Sequence, residues 1–292
     1  MTISTENRKE LEALLEFYAA NGVDYALDEV PHDRFGEMEK ARAESLKTAA
    51  KPSPSRPIET KTAPFQKEQP IISPEARQSV PDSVALEDAR GAAAKADTLD
   101  ALTDILNTFE GCNLKRTAKN LVFGAGNPKA RVMFVGEAPG RDEDIQGIPF
   151  VGRSGELLNK MLAAIDLDRE QDVYIANIVP WRPPGNRTPT TQEAELCRPF
   201  IQRQIELVNP DILVPLGAPA SRQLLDTKDG IMKLRGRIKP YALESREIIA
   251  IPTLHPAYLL RQPGQKRLAW QDLLKIKKAL AEKVTAHATD GD

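Results

Sequence analysis

Residues 135–158 read V-G-E-A-P-G-R-D-E-D-I-Q-G-I-P-F-V-G-R-S-G-E-L-L, so four acids, Glu137, Asp142, Glu143 and Asp144, precede one aromatic, Phe150, in a loop rich in Gly and Pro. The loop follows an apolar run and leads into a helical pattern, which is where open α/β sheets seat their ligands. A ligand site lined by carboxylates and one ring is expected to begin here. Two further strand-end segments carry unusual side chains: residues 177–189, N-I-V-P-W-R-P-P-G-N-R-T-P, and residues 253–261, T-L-H-P-A-Y-L-L-R. The carboxyl-end loops of a parallel sheet share one edge. Glu137, Glu143, Phe150, Asn177, Asn186 and His255 can therefore meet although they are far apart in sequence.

Each of these residues also has an ordinary role open to it. Glu137 and Glu143 suit a helix start, where the dipole favours acids, and Phe150 suits a core. Asn177 suits a turn, although asparagine is disfavoured inside the strand pattern that holds it. His255 is one of three histidines, with His32 and His287. Its place before Pro256, after an apolar run, sets it at a strand end, where a titratable ring has chemical use.

The elements that must position these side chains are legible as periodicity. Short apolar, β-branched runs at residues 131–135, 173–179, 212–216 and 248–251 read as buried parallel strands. Helical spacing covers residues 155–164, 192–208, 218–225 and 267–283. This alternation predicts an α/β fold of three layers, α/β/α, around a central, largely parallel four-stranded sheet. Leu11, Leu14, Leu15 and Tyr18 predict an N-terminal helical segment within residues 1–39. Prolines 52, 54, 57, 64, 70, 74 and 81 interrupt a polar stretch, so residues 40–85 are expected to form a disordered linker. Residues 86–285 are then the catalytic-domain candidate and residues 286–292 a disordered tail.

Composition narrows the classes. The chain has 292 residues, 41% of them apolar, and a formal charge of −2, so no global basic field announces a nucleic-acid partner. Locally the balance differs. Across residues 255–283 the cations Arg261, Lys266, Arg267, Lys275, Lys277, Lys278 and Lys283 stand against only Asp272 and Glu282. Such a patch suits a phosphate backbone, while Lys275, Lys277 and Lys278 equally suit a solvated helix face. Two cysteines, Cys112 and Cys197, make no disulfide framework and favour a reducing compartment. The first residues lack the apolar core of a signal peptide, and no run is apolar and long enough to span a bilayer. A cytoplasmic protein with no membrane partner is expected.

In this order and spacing, G-E-A-P-G-R-D-E-D-I-Q-G-I-P-F-V-G-R-S-G, Asn177, R-P-P-G-N-R-T-P and H-P-A-Y-L-L-R closely resemble the uracil-DNA glycosylases of family 4, over about residues 105–283. The resemblance implies a hydrolase that flips uracil out of DNA and hydrolyses its N-glycosidic bond, the first step of base-excision repair. It implies that Phe150 stacks on the uracil, that the Asn177 amide reads N3–H and O4, and that Ala138 lines the base. His255 is implied as the donor to O2 that stabilises the departing anion. Glu137 or Glu143 is implied to position the water and stabilise the cationic sugar, with Asn186 helping to hold the water or the adjacent backbone. Residues 258–267 are implied to enter the duplex. Leu259, Leu260, Arg261 or Gln262 would fill the vacated space, and Arg261, Lys266 and Arg267 would hold phosphates. Uracil-containing DNA is the implied partner, a monomer is expected, and residues 1–40 could serve a protein partner.

Family 4 proteins usually hold a four-iron, four-sulfur (4Fe-4S) cluster on four cysteines. The resemblance sets Cys112 and Cys197 at two of those positions and Phe109 and Trp181 at the other two. Neither aromatic can serve as a thiolate, so no cofactor or metal is expected, and both rings are expected to fill the volume by packing. The loop R-P-P-G-N-R-T-P lacks the histidine that some covalently trapping relatives carry, so turnover is expected. Two other readings stay open: a glycosylase for another deaminated base, and a non-catalytic adaptor that keeps the fold to bind DNA or a partner.

Overall fold

Alternation along a buried strand sends successive side chains to opposite faces of a sheet. In the computed structural model, Val132 and Phe134 join one apolar cluster while Met133 and Val135 join another. The structure describes residues 83–289. The chain divides into two units, Met1–Ile71 and Ile72–Asp292, and the described residues lie in the second. The helix expected within residues 1–39 and most of the expected linker fall outside them. Helices α1 (Ser83–Ala94) and α2 (Leu99–Thr108) come first, followed by a 3-10 turn at Asn113–Arg116. Next come β1 (Ala125–Gly126), β2 (Val132–Gly136), α3 (Arg141–Gln146), α4 (Arg153–Ala163), β3 (Val173–Asn177) and α5 (Thr191–Val208). The chain continues through β4 (Ile212–Pro215), α6 (Gly217–Leu225), α7 (Ile231–Leu234), β5 (Lys239–Ala242), β6 (Glu247–Ala250), α8 (Pro256–Arg261) and α9 (Lys266–Thr289). Helix α1 thus starts inside the stretch expected as linker, and α9 runs into the stretch expected as tail.

The strand order is β1-β3-β2-β4-β6-β5. The four strands read from the sequence are the parallel centre, β3-β2-β4-β6. Two short antiparallel strands, β1 and β5, extend it at the edges. Neither edge strand has an apolar run to announce it, and Pro240 in β5 is tolerated because an edge strand can spare the donor. Helices α1, α2, α5 and α6 cover one face, and α4, α8 and α9 cover the other, giving the three layers expected. Because β3 and β4 flank β2 on opposite sides, the chain reverses direction across the sheet at β2. A crevice opens at its carboxyl end. Among the described residues, no helix is long and apolar enough to cross a membrane.

Two networks fix the loops that leave this edge. Helix α5 opens with a capping box: the Thr190 hydroxyl accepts from the Glu193 N–H at 3.2 Å, and the Glu193 carboxylate accepts from the Thr190 N–H at 2.7 Å. The same carboxylate takes both nitrogens of the Arg187 fork, at 2.7 and 2.8 Å, so the loop after β3 is tied to the helix that follows it. On the other side, the fully buried Asp272 of α9 accepts from Arg235 Nε at 3.0 Å, Arg235 Nη2 at 2.7 Å and the Thr253 hydroxyl at 2.9 Å. Thr253 also donates its N–H to Pro215 and accepts from Gly217, so the loop after β6 is held by both the sheet and α9. Truncating one member of a buried ion pair strands the other. Asp272→Ala is therefore expected to lower the unfolding free energy by about 3 kcal/mol in urea titrations, and a change below about 0.5 kcal/mol, the scatter of a surface substitution, contradicts this role.

Candidate active site

Register places the first two site residues. Gly136 at the end of β2 lies opposite Asn177 at the end of β3, and pairing continues one step further as Val179 N–H donates to the Glu137 carbonyl at 3.1 Å. Glu137 and Asn177 therefore leave the sheet side by side. The adjoining cavity, about 200 Å³, is lined by Glu137, Ala138, Glu143, Phe150, Asn177, Asn186 and His255, the residues that sequence reasoning brought together.

Asn177 is only 3% exposed, and neither its Nδ2 nor its Oδ1 has a hydrogen-bond partner. Leaving a buried polar atom unpaired costs roughly 1–3 kcal/mol, and such atoms are rare in folded proteins. A bare backbone at Gly136 leaves room for this amide: a Cβ there would lie 2.3 Å from Asn177 Oδ1 and 2.8 Å from the Phe150 ring. Phe150 has a φ of 54°, in the left-handed region that a bulky side chain avoids. Its ring centroid is 5.5 Å from that of His255, with the planes 33° apart. The two rings and the Asn177 amide bound a space suited to a flat, hydrogen-bonding ligand.

The two glutamates, equivalent in sequence, differ in their partners. Glu143 is buried, and its Oε1 accepts from the N–H groups of Val151 and Gly152, both at 3.1 Å. It braces the backbone that follows Phe150. Glu137 has a buried Oε1 with no partner. Burial raises its pKa above the ordinary carboxylate value, and the Thr188 hydroxyl partly offsets this.

His255 caps the start of α8, its Nδ1 accepting from the Ala257 N–H at 3.1 Å. That bond assigns the remaining proton to Nε2, leaving it as a donor. Burial, with a smaller push from the Arg261 cation, lowers the ring's pKa from 6.5 to about 4. The ring is neutral at physiological pH. Gly217, at φ +84°, lets α6 start against it, where a Cβ would lie 3.0 Å from His255 Cβ. Asn186 stands exposed at the cavity rim, its Oδ1 accepting from Arg182 Nε at 2.6 Å.

Leu260, Arg261, Gln262, Lys266 and Arg267 do not line the cavity. They are exposed along the end of α8, the turn at Pro263–Gln265 and the start of α9. The basic run divides in two. Lys275 donates to the Gly236 carbonyl, Lys277 pairs with Asp166 and Lys278 with Glu282. Among the described residues, the side chains of Arg261, Lys266 and Arg267 make no ion pair. Sequence reasoning missed Thr188, Arg187 and Ser154 in the cavity wall. Thr188 and Arg187 lie within a loop already singled out, but a threonine there carries no spacing signal of its own.

Cys112 and Cys197 are free and buried, and their hydrogen bond together with burial pushes the Cys197 thiol well up. Trp181, Phe200 and both cysteines share one apolar cluster, with Phe109 packed against it. The Phe109 ring meets Phe200 edge-on at 4.9 Å and lies over Gly111, where a Cβ would be 2.4 Å from the ring. With two cysteines in the whole chain, these residues do not fit a cluster that needs four protein ligands. Among the described residues, no group of three or more His, Cys, Asp or Glu side chains is placed to hold a metal ion.

The chain is similar in sequence to proteins of one family. The sequence profile of the Uracil DNA glycosylase superfamily matches residues 123–274. The type-4 uracil-DNA glycosylase of Saccharolobus solfataricus is 40% identical over 192 residues, 64% of this chain and 88% of that protein. Its counterpart from Archaeoglobus fulgidus is 39% identical over 191 residues, covering 64% of this chain and 96% of that protein. The one from Thermotoga maritima is 41% identical over 186 residues, 63% and 95% respectively.

The depressed pKa of His255 has a consequence for stability. The unfolded chain protonates the ring below 6.5 and the folded chain only near 4. Between those values the unfolded state binds more protons, so this contribution is complete above 6.5 and is lost as pH falls toward 4. Urea unfolding across this window is expected to show a shallower loss of stability for His255→Gln than for the wild type. Equal slopes contradict a ring held neutral in the folded state.

Proposed function

The chain belongs to the uracil-DNA glycosylase superfamily, and from that premise we propose how its cavity works on uracil in DNA. It is a uracil-DNA glycosylase, a hydrolase acting on the N-glycosyl bond, and so an enzyme of DNA repair. The base must leave the helical stack, because its glycosidic carbon is shielded inside a duplex. In our reading it stacks on Phe150, with Ala138 alongside. The single observation that carries this reading is the unpartnered Asn177 amide. Its Oδ1 accepts from uracil N3–H and its Nδ2 donates to O4. Cytosine reverses the donor and acceptor at these atoms and would leave both amide atoms unpaired, which rejects it.

As the C1′–N1 bond breaks, its electron pair leaves with the uracil and positive charge develops on the sugar. His255, neutral with its proton on Nε2, donates toward O2 and stabilises the departing anion without giving up the proton. We assign the water to Glu137 rather than Glu143, because Glu143 Oε1 is already engaged by two backbone N–H groups while Glu137 Oε1 is unpartnered. Its raised pKa makes it a better base than an exposed carboxylate. It takes a proton as the water oxygen bonds to C1′. Asn186, oriented by Arg182 at its Oδ1, offers its side-chain NH₂ to that water or to the adjacent backbone.

Arg261, Lys266 and Arg267 hold phosphates, and Leu260 or Gln262 fills the space the base leaves. No cluster is assigned: Phe109, Trp181 and Phe200 pack around Cys112 and Cys197 where the resemblance would place one. We further read the protein as a cytoplasmic monomer, with residues 1–39 carried on the Pro-rich segment 40–85 as a docking element for a partner and residues 86–285 as the catalytic domain.

Purified wild type is expected to release uracil from a labelled oligonucleotide. Glu137→Gln should lower kcat by about 100-fold or more, and Asn177→Ala should lower kcat/KM by a similar factor. A Glu137→Gln enzyme with wild-type kcat removes that residue from the mechanism. Excision of hypoxanthine or xanthine in preference to uracil would reassign the base, and no excision at all would favour an adaptor. Iron and sulfide analysis after anaerobic purification is expected to find neither, and about four irons per chain would overturn the packing account.

A further inference from the structure

We infer that Arg169, which does not line the cavity, is a positioning residue that holds Phe150 in the attitude from which it stacks on the base. The inference rests on the reading of Phe150 as the stacking surface for uracil. Arg169 lies in the connection between α4 and β3. Its Nη2 donates to the Pro149 carbonyl at 2.6 Å, and its Nη1 donates to the Phe150 carbonyl at 3.0 Å and to Asn159 Oδ1 at 2.9 Å. Its Nε faces the Glu170 carboxylate at 3.6 Å. One guanidinium thus grips two consecutive carbonyls at the strained residue while α4 fixes its plane through Asn159.

The grip has something to oppose. A phenylalanine with φ of 54° sits in a sparsely populated backbone region, which persists only where its surroundings over-determine it. Relaxation to negative φ would swing the ring out of the cavity wall. The amide side of the segment is held by Glu143, through Val151 and Gly152. Gly155 closes against the Phe150 carbonyl so tightly that a Cβ there would lie 1.8 Å away. Arg169 holds the carbonyl side.

The base of the clamp is itself fixed. Asp168 Oδ1 accepts from the N–H groups of Glu170 and Gln171, at 2.8 and 2.9 Å, and the Asp168 N–H donates to Asp172 Oδ2 at 2.7 Å. This is a turn closed by aspartate side chains on either side of Arg169. The arginine side chain is 15% exposed, so its charge is held against the backbone rather than spent on solvent. A lysine, with a single ammonium, cannot reproduce a planar fork across two carbonyls.

A double-mutant cycle tests the assignment, because a residue that acts only through Phe150 loses its effect once the ring is gone. Steady-state excision of uracil from duplex DNA is measured for wild type, Arg169→Gln, Phe150→Ala and the double variant, each well below its melting temperature. Arg169→Gln is expected to raise KM about tenfold, with affinity for undamaged DNA unchanged, and to add almost nothing in the Phe150→Ala background. Arg169→Lys, the milder change, should fall between wild type and Arg169→Gln. Losses that multiply in the double variant, or a loss confined to kcat that tracks a lowered melting temperature, overturn the proposal and leave Arg169 a general stabiliser. A wild type that releases no uracil overturns the functional reading and this proposal with it.

Discussion

The Asn177 side-chain amide is buried with neither polar atom hydrogen-bonded within the protein, and the cavity opens beside it. A fold that only needed a buried residue at the end of β3 would place an apolar side chain there and avoid the loss. Keeping the amide, and keeping Gly136 opposite it bare, makes sense when a ligand completes the hydrogen bonds. The parallel register of β2 and β3 brings the amide beside Glu137 without any contribution from the loops. Asn177 and the backbone of Glu137 are thus placed by strand pairing, which favours the exact placement that chemistry requires.

The remaining groups come from loops, and each loop is tied down by a different buried or bidentate interaction. Glu193 clamps Arg187 and caps α5. Asp272 holds Thr253 and so the strand end that carries His255. Glu143 holds the backbone after Phe150. Each of these carboxylates is engaged, Glu143 through Oε1, whereas Glu137 has a buried Oε1 with no hydrogen-bond partner. Glu137 and Glu143 thus differ in their hydrogen-bond partners although they stand within a few residues of each other.

Much of this was legible in the sequence, for identifiable reasons. Most of β2, β3 and β4, and residues 248–250 of β6, form apolar runs because the sheet centre is covered on both faces, and the helices between them have clear apolar faces. Convergence of Phe150, Asn177 and His255 followed from parallel topology alone. Strands β1 and β5 were invisible because one is two residues long and the other exposed. The partition between Glu137 and Glu143 was invisible because it depends on which backbone N–H groups each carboxylate meets. Arg169 carried no signal, since an arginine in a polar turn looks solvated until its carbonyl partners are known. In the basic run of residues 255–283 the sequence leaves Lys275, Lys277 and Lys278 open between a phosphate patch and a solvated helix face; the structure gives these three protein partners and leaves Arg261, Lys266 and Arg267 exposed.

Around Cys112 and Cys197 the structure places Trp181, Phe200 and Phe109 in one apolar cluster. The central claim remains the Asn177 amide as the reader of the base. Its side-chain NH₂ resonances, assigned by comparison with Asn177→Ala, can be followed by NMR as the protein binds an oligonucleotide carrying a non-hydrolysable uracil nucleotide. The account expects these resonances to shift on binding that DNA and to stay in place with the matching cytosine oligonucleotide. Unmoved amide resonances in a saturated uracil complex would contradict it.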